Sequence, residues 1–472
     1  MKQKITADIA IIGAGSGGLS VAAGASQLGL RVVLFEAGEM GGDCLNTGCV
    51  PSKALIAAGK QAHAMRTASR FGMADAEPQV DWAAVKAHVR GVIDTIAPID
   101  SQERFEGFGV QVVRAFARFT GPRTVTGGDV EVTAKRIVLA TGGRPFIPPI
   151  PGLAETPYLT NETIFAVDPF PRHLIVLGAG PIGIELGQAF RRLGAQVTIL
   201  EAAEPLARFE PEARAVVLEA LAREGVALRA QTAATAVRAT ADGVAVATSA
   251  GDTIEASHLL VAVGRRANVE NIGLEAAGIA VGRNGVTTDD WLRTTNPAVY
   301  AVGDVAGREQ LTHAAGWHAS ALVRTLLFRA PTRADAVALP SAVYCEPELA
   351  AIGLTEAEAR ARHGDKVKAV HWAAAENDRA QAERDTEGFV KIVTGPGGRI
   401  LGATAVGAQA ADLLAPIGLA MSQRLTIRAL TGPVAPYPTR GELLKRAAGS
   451  FYTPTLFSDR TRAVVRFLWR LP

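Results

Sequence analysis

Cys44 and Cys49, two of the chain's three cysteines, stand five residues apart within Gly41-Gly42-Asp43-Cys44-Leu45-Asn46-Thr47-Gly48-Cys49-Val50-Pro51-Ser52-Lys53. On an unbroken helix, five residues at roughly 100° each leave the two side chains about 140° apart. A disulfide between them therefore requires local unwinding, which Gly48 permits and Pro51 encourages. A reversible disulfide at a helix mouth is suited to two-electron redox chemistry. Two unrelated core thiols are the plainer alternative, because free cysteine is commonly buried. The flanking glycine pair and Pro-Ser-Lys favour reactive thiols, since closely spaced cysteines at a helix start are a reactive arrangement. The rest of the chain reads as machinery that delivers electrons to this pair.

With 472 residues the chain can build two to four domains with large cores. Its formal net charge of +3 comes without a dense basic tract, which argues against nucleic acid as the main partner. Three cysteines are too few for a secreted disulfide scaffold and point to a reducing cytoplasm. The uncharged run from Ile9 to Leu30 follows Lys2 and Lys4 and could pass for a leader or membrane span. Asp8 opens it, however, and Gly13, Gly15, Gly17, Gly18, Gly24 and Gly29 interrupt it. Strand, glycine turn and helix fit it better, and no integral membrane segment is expected.

That run is a dinucleotide fingerprint in context. Ala7–Ile12 reads as a strand, Gly13-Ala14-Gly15-Ser16-Gly17-Gly18 as the turn, Leu19–Leu28 as a helix and Arg31–Phe35 as a second strand ending at Glu36. Gly13 makes the tight turn, Gly15 admits a pyrophosphate to the backbone, and Gly18 lets helix and strand touch. The helix N-terminus offers amides to phosphate, and Glu36 accepts from ribose hydroxyls. The pattern recurs: strand Leu174–Leu177, then Gly178, Gly180 and Gly183, then a strand ending at Glu201, which stands to Gly178 as Glu36 does to Gly13. Two fingerprints imply two different dinucleotides, a flavin and a nicotinamide.

Between them the sequence predicts helices over Ala54–Arg70 and Trp82–Phe105, then strands over Val110–Phe119, Thr124–Thr133 and Ile137–Gly143. Five prolines between Arg144 and Pro157 predict an extended linker. Leu259–Arg266 and Val299–Asp304 read as further strand ends rich in small residues. Beyond Pro340 the sequence predicts strands over Ala342–Cys345, Phe389–Thr394 and Ile400–Val406, and helices over Ala410–Gln423 and Arg440–Ala448. Cys345 reads as a structural thiol. The tail Ser458–Leu471 is a basic amphipathic segment that could touch a membrane surface, but is expected to pack on a dimer with its arginines in solvent.

Taken together, the chain resembles the class I pyridine nucleotide–disulfide oxidoreductases, the family of dihydrolipoamide dehydrogenase, glutathione reductase and mercuric reductase. The resemblance spans nearly the whole chain, and the Cys44–Lys53 segment is its most specific part. It implies an α/β fold with two Rossmann-like dinucleotide-binding domains, for FAD and NAD, and an α+β C-terminal dimerisation domain. The expected divisions are 1–145 for the first part of the FAD domain, 146–268 for the NAD(P) domain, 269–336 for the second, central part, and 337–472 for dimerisation. One FAD per chain and a homodimer with an active site shared across its interface are implied.

The resemblance also assigns roles. Cys49 becomes the thiol lying against the flavin, and Cys44 the exposed interchange thiol. Lys53 stands near flavin N5, paired with Glu185. Asp304, following Gly303, bonds the ribityl chain, and Thr312-His313-Ala314 brings helix-start amides to the flavin. Thr141 and Gly142 at one strand end, and Gly264 at another, complete the cofactor-facing set. Glu201 favours NADH, because a carboxylate there binds a free 2′-hydroxyl and repels a 2′-phosphate; Arg208 leaves NADPH possible.

The pattern breaks near the end of the chain. Family members that reduce disulfides carry a His-Pro-Thr-x-x-Glu-type motif, whereas this chain has Tyr437-Pro438-Thr439-Arg440-Gly441-Glu442, and its last histidine is His371. A phenol with a pKa near about 10 is a poor base at neutral pH. Tyrosine here resembles mercuric reductase, yet no cysteine follows Cys345 to hand metal inward. The leading expectation is an NADH-dependent, mercuric reductase-like flavoenzyme passing electrons through the Cys44–Cys49 disulfide to a metal ion, a quinone or a reactive sulfur species. The alternatives are a dihydrolipoamide dehydrogenase-like enzyme using Tyr437 or Glu442, and a flavin-binding redox sensor with a vestigial disulfide.

Overall fold

The computed structural model describes residues 2–472. They form two compact units. One comprises the residues up to Thr67 with Asp75–Ala202 and Arg229–Ala336; the other comprises Ala68–Ala74, Ala203–Leu228 and Val337–Pro472.

In the first unit, strand β1 (Gln3–Ile12) leads into helix α1 (Ser16–Gln27) and strand β2 (Val32–Glu36). β1 and β2 pair in parallel, with Ile12 opposite Phe35. Helix α2 (Gly42–Asn46) and helix α3 (Cys49–Arg66) follow. Strand β3 (Val130–Leu139) pairs in parallel with β1 along its length, Leu139 opposite Ile12. These strands are near-continuous apolar runs because both faces of the sheet are covered. Ile12, Phe35 and Leu139 are buried on one side, and Ile11, Leu34 and Val138 on the other.

The second fingerprint builds strand β4 (His173–Leu177), helix α4 (Pro181–Arg192) and strand β5 (Gln196–Leu200), with strand β6 (His258–Val261) on the far side of β4. All three strands are parallel. An antiparallel meander, Ala234–Thr240, Gly243–Thr248 and Thr253–Ala256, shares a core with them through Val237, Val246 and Leu259. The chain then returns to the first sheet with strand β7 (Val299–Ala301), which pairs with β3 and leads to helix α5 (Thr312–Leu327).

Several local expectations need correction. The segment Trp82–Phe105 is not one helix: Asp81 caps Trp82–Ile96, a 3-10 turn at Ala97–Asp100 holds Pro98, and Ser101 caps Gln102–Gly107. Proline cannot donate in a helix interior, and two good N-caps restart the chain around it. The strands predicted at Thr124–Thr133 and Ile137–Gly143 are instead a hairpin strand, Thr124–Gly127, and the long β3. Gly128, at φ 56°, makes the turn between them. The length of β3 lets one edge serve two partners: Val130–Thr133 pair with the hairpin and Ile137–Leu139 with β7. The proline-rich linker starts as strand Gly143–Pro145, paired antiparallel with Arg265–Ala267.

The second unit is built on a five-stranded antiparallel sheet ordered Pro340–Val343, Glu348–Gly353, Ile400–Gly407, Phe389–Thr394, Lys368–Ala373. The second and last of these are absent from the sequence expectation. Glu-Leu-Ala-Ala-Ile-Gly has weak strand propensity and holds because it pairs on both sides. Helices α6 (Ala410–Ser422) and α7 (Glu442–Ser450) cover the sheet through Leu413, Leu414, Ile417 and Leu444. The chain ends in helix α8 (Asp459–Leu468). Among the described residues no helix is long and apolar enough to cross a membrane.

Candidate redox site

The cysteine segment is two helices rather than one. Gly41, at φ 85°, starts α2, and a Cβ on it would stand 2.4 Å from the Leu45 side chain. Asn46 Nδ2 donates back to the carbonyls of Met40 and Gly42, 3.0 and 2.8 Å away, and α2 stops. Thr47 and Gly48 make the break; a Cβ at Gly48 would be 2.9 Å from the Asp43 carbonyl oxygen. Pro51 does not unwind the helix. It lies in the first turn of α3, where its missing N–H leaves no bond unmade.

The break brings the two sulfurs into hydrogen-bonding contact, both as free thiols. The Cys49 sulfur also lies 3.2 Å from the Thr312 hydroxyl, at the first residue of α5. Cys49 is pushed down to about 6, chiefly by the hydrogen bond from Cys44, helped by Thr312 and the positive charge of Lys53 and opposed by burial and Asp43. Cys44 moves the other way, well above the usual thiol range, because its S–H donates a hydrogen bond to the Cys49 sulfur and because it is partly desolvated. Cys44 is half-buried and Cys49 exposed. Cys49 opens α3 on its free side, whereas Cys44 sits within α2.

Lys53, one turn along α3, reaches α4: its Nζ lies 2.8 Å from Glu185 Oε2. Glu185 is only 5 % exposed. Replacing Lys53 by Met therefore removes a cation from a carboxylate with little water. Breaking a buried pair costs about 3–5 kcal/mol; Lys53 keeps 38 % of its side chain exposed, so about 2 kcal/mol is expected here. Thermal melts should show the loss, and the double change Lys53→Met/Glu185→Leu should recover most of it.

A second constellation has no counterpart in the sequence reading. Arg265, nearly buried, donates to Asp43 Oδ2 at 2.8 Å, to Asp304 Oδ2 at 3.2 Å and to the Gly143 carbonyl at 2.7 Å. Asp43 also accepts from Thr47 Oγ1 at 2.6 Å and Asn161 Nδ2 at 3.1 Å. The residue preceding Cys44 is thus tied to Thr47 within its own segment and to two distant segments, and Arg265 joins it to Asp304. Burial pushes the Asp304 carboxyl up, and Arg265 opposes that rise. Only an aspartate beside the first cysteine and an arginine following the Gly264 strand end could have hinted at this in the sequence.

The two glycine loops share one geometry. Gly13 and Gly178 have φ of 105° and 101°, and Cβ atoms there would strike the Ala140 and Ala262 carbonyl oxygens at 2.3 and 2.6 Å. At Gly18 and Gly183 a Cβ would be 1.9 and 2.0 Å from the Gly13 and Gly178 carbonyl oxygens. At Gly15 and Gly180 nothing lies within 4 Å, so each loop presents bare backbone to an open cradle. Glu36 and Glu201 fold back onto these loops: Ala14 N donates to Glu36 at 2.6 Å and Ala179 N to Glu201 at 2.7 Å. Gly38 N also donates to Glu36, at 2.7 Å.

Thr141 and Asn268 exchange two hydrogen bonds, and Asn268 N donates to the Gly142 carbonyl. Gly264, at φ 133°, likewise has open space around its missing Cβ. Gly303 N donates to the buried His318 Nδ1, and His313 and Ala314 follow Thr312 in the first turn of α5, His313 exposed and Ala314 buried.

In the second unit Tyr437 is 71 % exposed, and its hydroxyl donates to Asp378 Oδ2 at 2.8 Å. That bond pushes the phenol pKa up. Glu442 opens α7. The Tyr437–Arg440 loop is clamped by Asn377, which donates to the Thr439 carbonyl, and by Arg440, which reaches Glu383 and Asp385. Cys345 is buried, its thiol donating to the Pro347 carbonyl.

Comparison with known proteins agrees with this geometry. Residues 7–319 match the family described as pyridine nucleotide-disulphide oxidoreductase, and residues 339–448 match its dimerisation domain. A mercuric reductase from Streptomyces lividans is 35 % identical over 459 residues, covering 94 % of this chain and 96 % of its own. A dihydrolipoyl dehydrogenase from Geobacillus stearothermophilus is 34 % identical, with 94 % and 96 % covered. The copper(II) complex of RclA, an HOCl-induced flavoprotein disulfide reductase from Escherichia coli, superposes with a TM-score of 0.84 at 26 % identity, over 93 % of this chain and 98 % of that one. With paired thiols at a helix break, two open glycine cradles and a matching dimerisation domain, the chain belongs to the pyridine nucleotide-disulphide oxidoreductase family.

Proposed function

We propose that this chain is an FAD-dependent reductase that draws electrons from NADH and delivers them, through Cys44 and Cys49, to a thiophilic metal ion such as Hg(II) or Cu(II). The observation that carries the choice of acceptor is Tyr437. Its hydroxyl donates to Asp378, which raises the phenol pKa and so leaves even less phenolate at neutral pH to act as a base. Reducing a disulfide needs a base to take and return a thiol proton. Reducing a metal ion held by two sulfurs needs no such shuttle. Relatives named mercuric reductase and the copper(II) complex of RclA support the same reading.

The residues fit the cofactors. The open cradle at Gly15, the α1 amides and Glu36 would hold the FAD pyrophosphate and ribose; Gly180 and Glu201 would hold NADH. FAD, when bound, supplies hydride acceptance and passes the electron pair on to sulfur. Cys49, thiolate above a pH of about 6, is the exposed sulfur suited to lie against it, and Lys53 keeps positive charge nearby. Cys44 retains its proton until the metal ion displaces it, after which both sulfurs hold the ion. In the homodimer, Tyr437 and Glu442 of one copy would face the thiols of the other, as the family's shared active site implies.

NADH oxidation with Hg(II)–thiol complexes, with Cu(II) and with lipoamide tests this. Tyr437→Phe should leave metal-dependent turnover within about threefold, whereas Tyr437→His should raise lipoamide reduction by roughly 100-fold, the scale of one general base. Rapid lipoamide reduction by the unaltered enzyme would instead support the dihydrolipoyl dehydrogenase-like reading.

A further inference from the structure

Helix α8 is the largest feature that the redox chemistry leaves unused. No residue of it is buried. Val464, Val465, Phe467 and Leu468 are each at least half exposed, and Trp469, its C-cap, is 89 % exposed. At about 100° per residue, the apolar side chains from Phe467 through Val464, Leu468 and Val465 to Trp469 sweep an arc of about 200°. Arg462, Arg466 and Arg470 fill about 80° of the opposite side. Arg460 lies by Phe467 at the edge, and Asp459, at the first turn, is the segment's one acid.

This shape distinguishes two occupants. A helix seated on a protein surface buries a stripe of roughly 100° and surrounds it with mixed charge. An apolar arc about twice as wide, edged by Phe467 and Trp469, interrupted by Thr461 and backed by three arginines with Asp459 among them, 3.6 Å from Arg462, matches a helix lying half-sunk at a bilayer surface. Arginine stems reach from such a position to lipid phosphates, and indole prefers the headgroup boundary. α8 also lies beyond residue 448, where the match to the dimerisation domain ends.

We propose that α8 is a peripheral anchor for anionic lipid surfaces, its apolar arc entering the headgroup boundary and Arg462, Arg466 and Arg470 pairing with lipid phosphates. The occupant is the membrane, chosen over a second copy of the chain by charge complementarity: four arginines against one aspartate.

The test is co-sedimentation of the full-length, FAD-loaded protein with phosphatidylglycerol/phosphatidylcholine vesicles and with pure phosphatidylcholine vesicles. Binding to the anionic vesicles alone is expected, falling with added salt. Arg462→Glu/Arg466→Glu/Arg470→Glu should weaken it by roughly 100-fold or more, at about one factor of five per surface arginine. Leu468→Ser/Trp469→Ser should abolish it while leaving NADH oxidation and the elution volume on gel filtration unchanged. Absence of binding to the anionic vesicles at low salt overturns the proposal, as does equal binding to both vesicle types. A shift to a monomer on Leu468→Ser/Trp469→Ser would place the face against a second copy instead.

Discussion

Replacing Cys49 by serine is expected to lower NADH-dependent turnover with every acceptor by roughly 1000-fold or more, because only a thiolate relays the electron pair. The change is conservative in volume and sits at an exposed first position of α3, so the fold should survive it. Before the mutation, alkylation of Cys49 by iodoacetamide should rise through a pH of about 6 and level off above it. An ordinary thiol would show that rise near about 8.5. The sign follows from the bonding: Cys44 donates to the Cys49 anion, so the proton leaves Cys49 more easily and Cys44 less easily. Cys44→Ser should therefore move the alkylation midpoint only partway up, since a hydroxyl can still donate, and Cys44→Ala further. Anaerobic NADH should produce a long-wavelength thiolate–flavin absorbance in the unaltered enzyme. If that band persists in Cys49→Ser, the assignment of Cys49 is wrong.

The second large effect concerns Arg440, which stands inside the Tyr437–Glu442 segment and is 3 % exposed along its side chain. Its guanidinium lies 2.8 Å from Glu383 and 3.2 Å from Asp385, and it also donates to the Asp385 carbonyl. Arg440→Met removes the cation shared by two carboxylates and leaves that carbonyl without this donor. The expected loss is about 3 kcal/mol, the low end for a broken buried pair, because Glu383 and Asp385 keep about a third of their surface and Glu383 retains Arg379. For a unit of this size, that lowers the melting temperature by roughly 10 °C. Arg440→Lys keeps the charge but not the planar fork, and should recover less than half of the loss. Equal melting of Arg440→Met and the unaltered chain would show that the clamp contributes nothing.

Much of this protein is legible along its sequence, for a local reason. A glycine at positive φ, a proline in a first turn, a cap or a run of apolar residues acts through its nearest neighbours. Hence the two strand–turn–helix–strand units, the break at Gly48 and the placing of Cys44 and Cys49 at helix starts can all be read from a few consecutive letters. The presence of two fingerprints in one chain is equally local, and with the cysteine segment it points to the family.

What the sequence leaves undecided depends on residues far apart in the chain. Arg265 matters because folding sets it between Asp43 and Asp304, 222 positions before it and 39 after. The strand at Glu348–Gly353 exists because two neighbours pair with it, not because its own letters prefer extension. Arg440 is a clamp only once Glu383 and Asp385 are beneath it. Returning to Gly41–Lys53, the order of residues determined that two thiols meet at a broken helix. Tertiary structure added Thr312, 263 residues away, whose hydroxyl lies 3.2 Å from the Cys49 sulfur and supports the anion there beside the hydrogen bond from Cys44.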